Sequence, residues 1–446
     1  MLKTLKNAWR IPELRSKLLF TLLIIVLYRL GANIPVPYVN AEVFEGAKDA
    51  FDGTILYYLN ILSGDALGRA TLFALGVSPY ITASIVIQLL TVAIGPLQRL
   101  AKQGEEGRKK INALTRIVTV GLALITAIGY AFYLNASDYL VGDITWFSGA
   151  VIVACYCAGA ALVMWLAEKI NESGIGNGIS IILFANIIAG MFGMLQSIWS
   201  TVFTSGGFSG FDWRGLIVAI FEILVLLGMI MIIVWMSDAE RRIPIQYAKR
   251  VVGRKMYGGQ NTNLPLKVNM AGVMPIIFAN SIVALPATIA SFMNTDSGFA
   301  KWVEKWFNYD SLPYLLIFLV LLFFFAYFYV SISFDPVEVA NNIKNNGGAV
   351  PGIRSGKPTV IYIKKILNRI TLLGAIIVAF IACFPMVINM IDTQILDNIE
   401  KLTYNFDFAA LSFGGSSLII VVGVALETVR ELEAQMSLRN YKGFLD

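Results

Sequence analysis

Few side chains in this sequence can do chemistry, and the scarcity narrows what the protein does. Its 446 residues include no histidine. That removes histidine acid–base catalysis, H-E-x-x-H zinc sites and Ser-His-Asp triads. Cys155 and Cys157 share one apolar stretch and Cys383 lies in another. With no C-x-x-C pair or ligand cluster, they read as inert membrane thiols. Two ionisable residues stand inside apolar stretches: Arg29, close enough to an end to snorkel, and Glu222. Coupled transporters and proton pumps place such groups mid-membrane, usually paired. Glu222 has no evident basic partner at its depth, so it reads as a satisfied or interface-level glutamate, or one facing a partner helix. Uncharged polar groups are more numerous: Thr82, Ser84, Gln88, Asn112, Thr115, Asn280 and Ser281. On facing helices such groups hold together by only ~0.6–2 kcal/mol each. A contact built from them can open; ordinary helix packing is the other reading.

The elements that carry these residues are apolar and long. Hydrophobic residues make up 57% of the chain and charged residues 14%, with mean hydropathy +0.70, against ~25% charged in a soluble domain. A spanning helix needs ~20 apolar residues, and that rule picks out about ten segments. They are Leu18–Ile34, Thr71–Ile94, Leu114–Leu134, Phe147–Leu166, Ile179–Trp199, Leu216–Met236, Ala271–Phe292, Leu312–Ile332, Ile370–Ile391 and Phe408–Leu426. The basic start, Met1 to Lys17, has no A-x-A cleavage pattern and reads as a cytoplasmic surface helix. Of the 35 lysines and arginines, about 28 fall at the N-terminus and in the loops after even-numbered segments. Both termini are therefore expected in the cytoplasm.

Two segments open on related sequences. Gly76-Val77-Ser78-Pro79-Tyr80-Ile81-Thr82-Ala83 recurs, degraded, as Gly272-Val273-Met274-Pro275-Ile276-Ile277-Phe278-Ala279. The offset is about 196 residues. Proline early in a helix suits its fixed φ and missing N–H. Halves that repeat in this way suggest a two-fold-related membrane protein whose working site lies where they meet. Ile81 and Ile277 then occupy equivalent places, and branched apolar side chains at a narrow waist expel water and block ions. Lipid-facing or core isoleucine is the other reading.

One apolar piece, Thr54–Leu62, is too short to cross, and Ser63-Gly64-Asp65-Ala66-Leu67-Gly68-Arg69 follows it. Irregular backbone at membrane depth must line a cavity or be buried in protein. Asn60–Ala70 is thus expected to be a short re-entrant helix filling a cavity, with an interfacial helix as the alternative. Two loops on the basic side exceed what a connection needs. Asp238–Asn269 carries Arg241, Arg242, Lys249, Arg250, Arg254, Lys255 and Lys267; Asp335–Arg369 carries Lys344, Arg354, Lys357, Lys364, Lys365 and Arg369. They read either as orientation charge against anionic headgroups or as a docking surface for an RNA-rich or acidic partner.

Several stretches together resemble one family: Phe73-Ala74-Leu75-Gly76, Ile175-Gly176-Asn177-Gly178-Ile179-Ser180, Pro265-Leu266-Lys267-Val268-Asn269-Met270-Ala271-Gly272-Val273-Met274-Pro275, and Val350-Pro351-Gly352-Ile353-Arg354. The chain is similar to the SecY translocon family from the N-terminal basic helix through the tenth segment. That resemblance implies an all-α polytopic membrane protein. Ten transmembrane helices would form two inverted pseudo-symmetric five-helix halves around a central hourglass pore. The parts would be a surface helix at 1–17, an N-terminal half at 18–200 with a plug at about 60–70, an external hinge loop at 201–215, a C-terminal half at 216–432 with docking loops 238–269 and 335–369, and a cytoplasmic tail at 433–446.

The resemblance also implies residue roles. The pore ring would be Val77, Ile81, Ile179, Leu183, Ile277 and Ile420, where Val77 and Leu183 depart from the family's isoleucine. The plug would include Asn60, Leu62, Ser63, Gly64, Leu67 and Arg69. The lateral gate would use Thr82, Ser84, Gln88, Thr115, Asn280 and Ser281. Docking would use Arg241, Arg242, Lys249, Arg250, Arg254, Lys255, Arg354 and Lys357. No cofactor or metal is implied. The implied partners are SecE-like and SecG-like small membrane subunits, a SecA-like motor ATPase, the ribosome, signal sequences, nascent polypeptides and membrane lipid. The implied function is a passive protein-conducting channel in the bacterial plasma membrane, not an enzyme. A secondary solute transporter also uses inverted repeats, and an intramembrane enzyme without histidine would need a Ser–Lys dyad or a carboxylate pair; for the first only Glu222 and scattered hydroxyls are on offer, and for the second no Lys or Asp lies clearly inside a segment.

Overall fold

The computed structural model describes residues 2–40, 60, 63–136, 139–142, 145–202, 213–247, 250–252, 255–257, 261–291, 298–307, 311–391 and 415–442. Leu62, Lys249, Arg254, most of the 201–215 loop, the start of the tenth segment and the last residues of the tail lie outside them. Each of the ten apolar segments overlaps a helix among the described residues. The N-terminal half consists of α1 (Leu2–Arg10), α2 (Pro12–Gly31), α3 (Ser78–Ala93), α4 (Gly95–Ala101), α5 (Glu105–Ala136), α6 (Trp146–Ser173) and α7 (Gly178–Val202). The C-terminal half consists of α8 (Trp213–Asp238), α9 (Met274–Ser291), α10 (Gly298–Phe307), α11 (Leu312–Ser333), α12 (Pro336–Asn345), α13 (Lys357–Ile391) and α14 (Gly415–Lys442). Among the described residues, five helical stretches are long and apolar enough to cross a membrane, or six if α3 and α4 count as one bent span. This is fewer than the ten segments expected. The apolar parts of α7 and α9 are shorter, and α2 carries Glu13, Arg15, Lys17 and Arg29 along its length.

Helix boundaries moved for physical reasons. The surface helix breaks at Ile11, whose extended backbone precedes Pro12, so 12–17 continue into the first apolar helix. The second segment was read from Thr71, but helix begins only at Ser78. It ends at Ile94, where the chain turns by 105° into α4. Gly95-Pro96 permits that turn, and α4 runs on at an angle to the span.

The sequence repeat is a structural one. Gly76 and Gly272 both adopt left-handed φ, +53° and +62°, a conformation that glycine takes without a Cβ penalty. Pro79 and Pro275 then both stand at the second helical position of α3 and α9. The Ile81 N–H donates to the Val77 carbonyl at 3.0 Å and Ile277 to Val273 at 3.3 Å.

The halves pack internally through α5 on α6, α3 on α5 and α2 on α6, and through α9 on α11, α11 on α13 and α8 on α14. They meet along two seams. On one, α3 packs against α9; on the other, α7 packs against α8 and α14. Both termini meet on one face: Thr4 Oγ1 donates to Glu433 Oε1 at 2.9 Å, and Ala8, Leu14, Ile175 and Leu432 form a small buried cluster.

The two long basic loops fold into one sheet. Strand β1 (Glu240–Tyr247) lies between β4 (Asn261–Lys267) and β5 (Gly348–Ala349), antiparallel to both, with Ile243 opposite Leu264 and Gln246 opposite Ala349. Strands β2 (Arg250–Val252) and β3 (Lys255–Tyr257) form a second hairpin at the far end. Ile243 and Ile245 face inward while Arg241, Arg242 and Pro244 are exposed, the alternation of a half-buried strand.

Candidate functional site

The six expected ring residues all lie in or against one large apolar cluster. Val77 caps α3 and Ile81 is in its first turn; Ile179 and Leu183 are in the first turns of α7; Ile277 is in the first turn of α9; Ile420 is near the start of α14. Val77, Ile81, Leu183, Ile277 and Ile420 are buried in one apolar cluster, and half-buried Ile179 packs on it. Ile81 and Ile277 are 4% and 5% exposed, so neither faces acyl chains. The cluster draws on both halves.

Residues 63–76 contribute Ala66 and Phe73 to this cluster, and their backbone is held by side chains. Helix is present at Asn60 and Ser63, but 64–70 are successive turns rather than the expected re-entrant helix. Gly64, Asp65 and Ala70 all have positive φ, which a helix forbids. Their polar groups are satisfied one by one, as burial requires. Ser63 Oγ accepts from Leu67 N at 3.0 Å, and Asn60 Oδ1 accepts from Gly68 N at 2.7 Å. Tyr130 on α5 donates its hydroxyl to the Leu67 carbonyl at 2.5 Å, and Tyr156 on α6 reaches the Ala70 carbonyl at 3.2 Å. Sequence reasoning passed over both tyrosines. A tyrosine inside an apolar segment needs a hydrogen-bond partner for its hydroxyl, and that was the available signal.

Arg29 does not snorkel. Its guanidinium turns inward and donates to the carbonyls of Gly64 at 3.4 Å, Ala185 at 2.5 Å and Asn186 at 3.2 Å. It thus joins α2, the turn at Gly64 and the middle of α7. Beside it, Asn186 Nδ2 donates to the Tyr28 hydroxyl at 2.9 Å. Arg69, by contrast, is exposed on the outer side. Glu222 on α8 is buried within the protein.

The polar residues expected at a gate lie on both sides of the α3–α9 seam or beside it. Gln88 Nε2 donates to Ser84 Oγ at 3.4 Å. Thr82, Thr115 and Ser281 return their hydroxyls to the carbonyls of Ser78, Ile111 and Ile277 on their own helices. Asn280 is buried in α9. No strong bond locks this seam through the side chains of Thr82, Thr115 or Ser281, which satisfy themselves locally.

On the basic face, Arg241 and Arg242 project from β1, and Arg242 Nε donates to Glu240 Oε1 at 2.6 Å. Arg354 is exposed at the tip of a turn flanked by Gly352 and Gly356, both with positive φ. Thr359 Oγ1 ties the turn by donating to the Arg354 carbonyl at 2.9 Å. Lys357 begins α13 and is exposed. Arg250 and Lys255 sit on the paired β2 and β3 backbones. Beneath the sheet, a cavity of about 430 Å³ is lined by Lys267, Gly272, Met274, Glu427, Arg430 and others. Arg430 closes one side of it, donating to Asp238 Oδ1 and the Ser237 carbonyl at 2.6 Å each.

With this geometry in view, comparison with known proteins is direct. The SecY family model matches residues 71–429. The protein translocase subunit SecY of Streptomyces galbus is 43% identical over the full length of both chains, that of Halalkalibacterium halodurans 41% and that of Mycobacterium tuberculosis 40%, each again over both full lengths. Among solved structures, one described as a protein conducting channel aligns with a TM-score of 0.61 at 17% identity over 96% of each chain. Sec61 in a canine ribosome-channel complex aligns with a TM-score of 0.57 at 16% identity over 97% of each chain. The repeat, the seams and the apolar junction of the halves are thus set in a chain that belongs to the SecY family.

Proposed function

We propose that this chain is the channel subunit through which unfolded secretory polypeptides cross the plasma membrane and from which apolar segments leave sideways into lipid. The observation that carries the reading is the apolar cluster at the junction of the two halves, fed by the first turns of α3, α7 and α9 and by Ile420. A constriction of branched apolar side chains excludes ions by dewetting and spreads when a chain passes, because dispersion contacts are individually small. The name of its relatives, protein translocase subunit SecY, supports this reading. Val77, Ile81, Ile179, Leu183, Ile277 and Ile420 act as the seal, and the 60–70 stretch beneath acts as a plug held in place by Arg29, Tyr130 and Tyr156. The α3–α9 seam acts as the lateral gate. A related solved structure is described as one in which the plug domain of SecY stabilises the closed state of the translocation channel and maintains a membrane seal.

The β4-β1-β5 sheet and the Arg354 turn form the docking face for a SecA-like motor or a ribosome, the latter seen with Sec61 and with yeast Ssh1. SecE-like and SecG-like subunits complete the complex. We read the channel as passive, its passage driven by the bound motor or ribosome, as the name protein translocase subunit SecY of its relatives supports. Proteoliposomes containing this chain, the two small subunits and the motor should shelter an added preprotein from protease when ATP is supplied. Solute or ion uptake without preprotein, and no sheltered preprotein, would overturn the proposal.

A further inference from the structure

On the basic side a groove of about 810 Å³ lies between α11, α12 and α13. Phe324, Tyr327, Phe328, Phe334 and Leu367 wall it, and Asp335 and Lys364 stand at its mouth. Depth follows from the helix rise. The groove follows α11 from Phe323 to its end, about 16 Å at 1.5 Å per residue. That is about half of a ~30 Å hydrocarbon layer. The aromatic wall therefore lies at acyl-chain depth of the inner leaflet, and the two charges lie at headgroup depth.

The walls are fixed. Phe324 and Phe328 stack with centroids 6.0 Å apart, and the Tyr327 hydroxyl donates to the Asn368 carbonyl across the groove at 3.4 Å. The charges are offered outward. Asp335 accepts from Val337 N at 2.8 Å, capping α12, which leaves its carboxylate further acceptor capacity. Lys364 is exposed on the face of α13 that also carries Asn368. Asp335 and Lys364 form no ion pair with each other.

We propose that this groove binds one phospholipid with a primary-amine headgroup. The acyl chains lie along the aromatic wall, the phosphate meets Lys364, and the ammonium meets Asp335. An anionic lipid would leave Asp335 facing a second negative charge. A choline headgroup carries the positive charge but has no N–H to donate to a carboxylate. The proposal does not depend on polypeptide export, because binding is read on the resting protein.

The test is native mass spectrometry of the delipidated full-length chain. It is titrated with dioleoyl phosphatidylethanolamine, phosphatidylcholine, phosphatidylglycerol and, as a headgroup without chains, glycerophosphoethanolamine. One phosphatidylethanolamine should be retained with roughly fivefold preference over the other two lipids, and glycerophosphoethanolamine should not bind. Asp335→Asn keeps a capping side chain and should erase the preference while leaving lipid bound. Lys364→Gln should weaken all three lipids. Ser331→Trp, which fills the groove, should abolish binding with an unchanged melting temperature. Equal retention of the three lipids, a preference that survives Asp335→Asn, binding that survives Ser331→Trp, or glycerophosphoethanolamine binding as tightly as the lipid would each overturn the proposal.

Discussion

An Arg29 guanidinium nitrogen lies 2.5 Å from the carbonyl oxygen of Ala185, a residue 156 positions further along the chain. The same side chain reaches the Gly64 carbonyl, so one half-buried cation clamps the irregular turn against the middle of α7. A hydrogen bond to a charged group contributes about 1.5–3 kcal/mol.

Removing that clamp should loosen the 60–70 stretch. Arg29→Met keeps the apolar stem and deletes the donors. It should raise the displaced fraction roughly ten- to a hundredfold, as 1.4 kcal/mol per decade implies. Planar-bilayer recordings would show this as more frequent openings in the absence of substrate. Conductance equal to wild type would remove Arg29 from the closing device.

Wetting the apolar cluster should leak ions. Ile81→Asn and Ile277→Asn each place an amide among branched side chains at the junction of the halves. Because a polar group buried without partners costs about 1–3 kcal/mol, water will follow the amide in. Both variants should raise resting conductance, and the double variant more than either. Bilayers that stay tight would show that the seal lies elsewhere.

Locking the α3–α9 seam should stop export. A Ser84→Cys, Asn280→Cys pair in a chain whose own three cysteines are replaced should cross-link on oxidation and block preprotein passage, and reductant should restore it. Export that continues in the cross-linked form would mean that the seam need not part.

Charge at the turn tip should matter to the motor and not to the fold. Arg354 is exposed, and its turn is held by the backbone through Thr359. Arg354→Glu should therefore leave the melting temperature unchanged while abolishing motor-stimulated ATP turnover. Stimulation at the wild-type level would refute the docking role.

Much of this was legible in the sequence. Apolar length marks spans because a bilayer imposes it, and the Pro79/Pro275 repeat was visible because helix starts have few chemical solutions. That Ile81 and Ile277 would both be buried in one apolar cluster was suggested by the repeat. What stayed hidden is made across distance. No local pattern says that Arg29 will find Gly64 and Ala185, nor that Tyr130 and Tyr156 will hold the carbonyls of Leu67 and Ala70. The Asn60–Ala70 stretch was expected to be helix because an apolar piece too short to cross leads into it, whereas positive φ at Gly64, Asp65 and Ala70 decides its path. The sheet was hidden for a different reason. The charges of Asp238–Asn269 drew attention away from the alternation of Ile243 and Ile245 around Pro244.

The central position of β1 ties distant spans to one torsion bar. Strand β1 continues directly from α8, β4 leads through Val268 towards α9, and β5 lies just before α13. Seven residues of β4 extend about 24 Å at 3.4 Å each, stiffened by the ladder to β1. The sheet and the root of α9, the helix that packs on α3, are thereby joined by a hydrogen-bonded ladder and a short run of backbone.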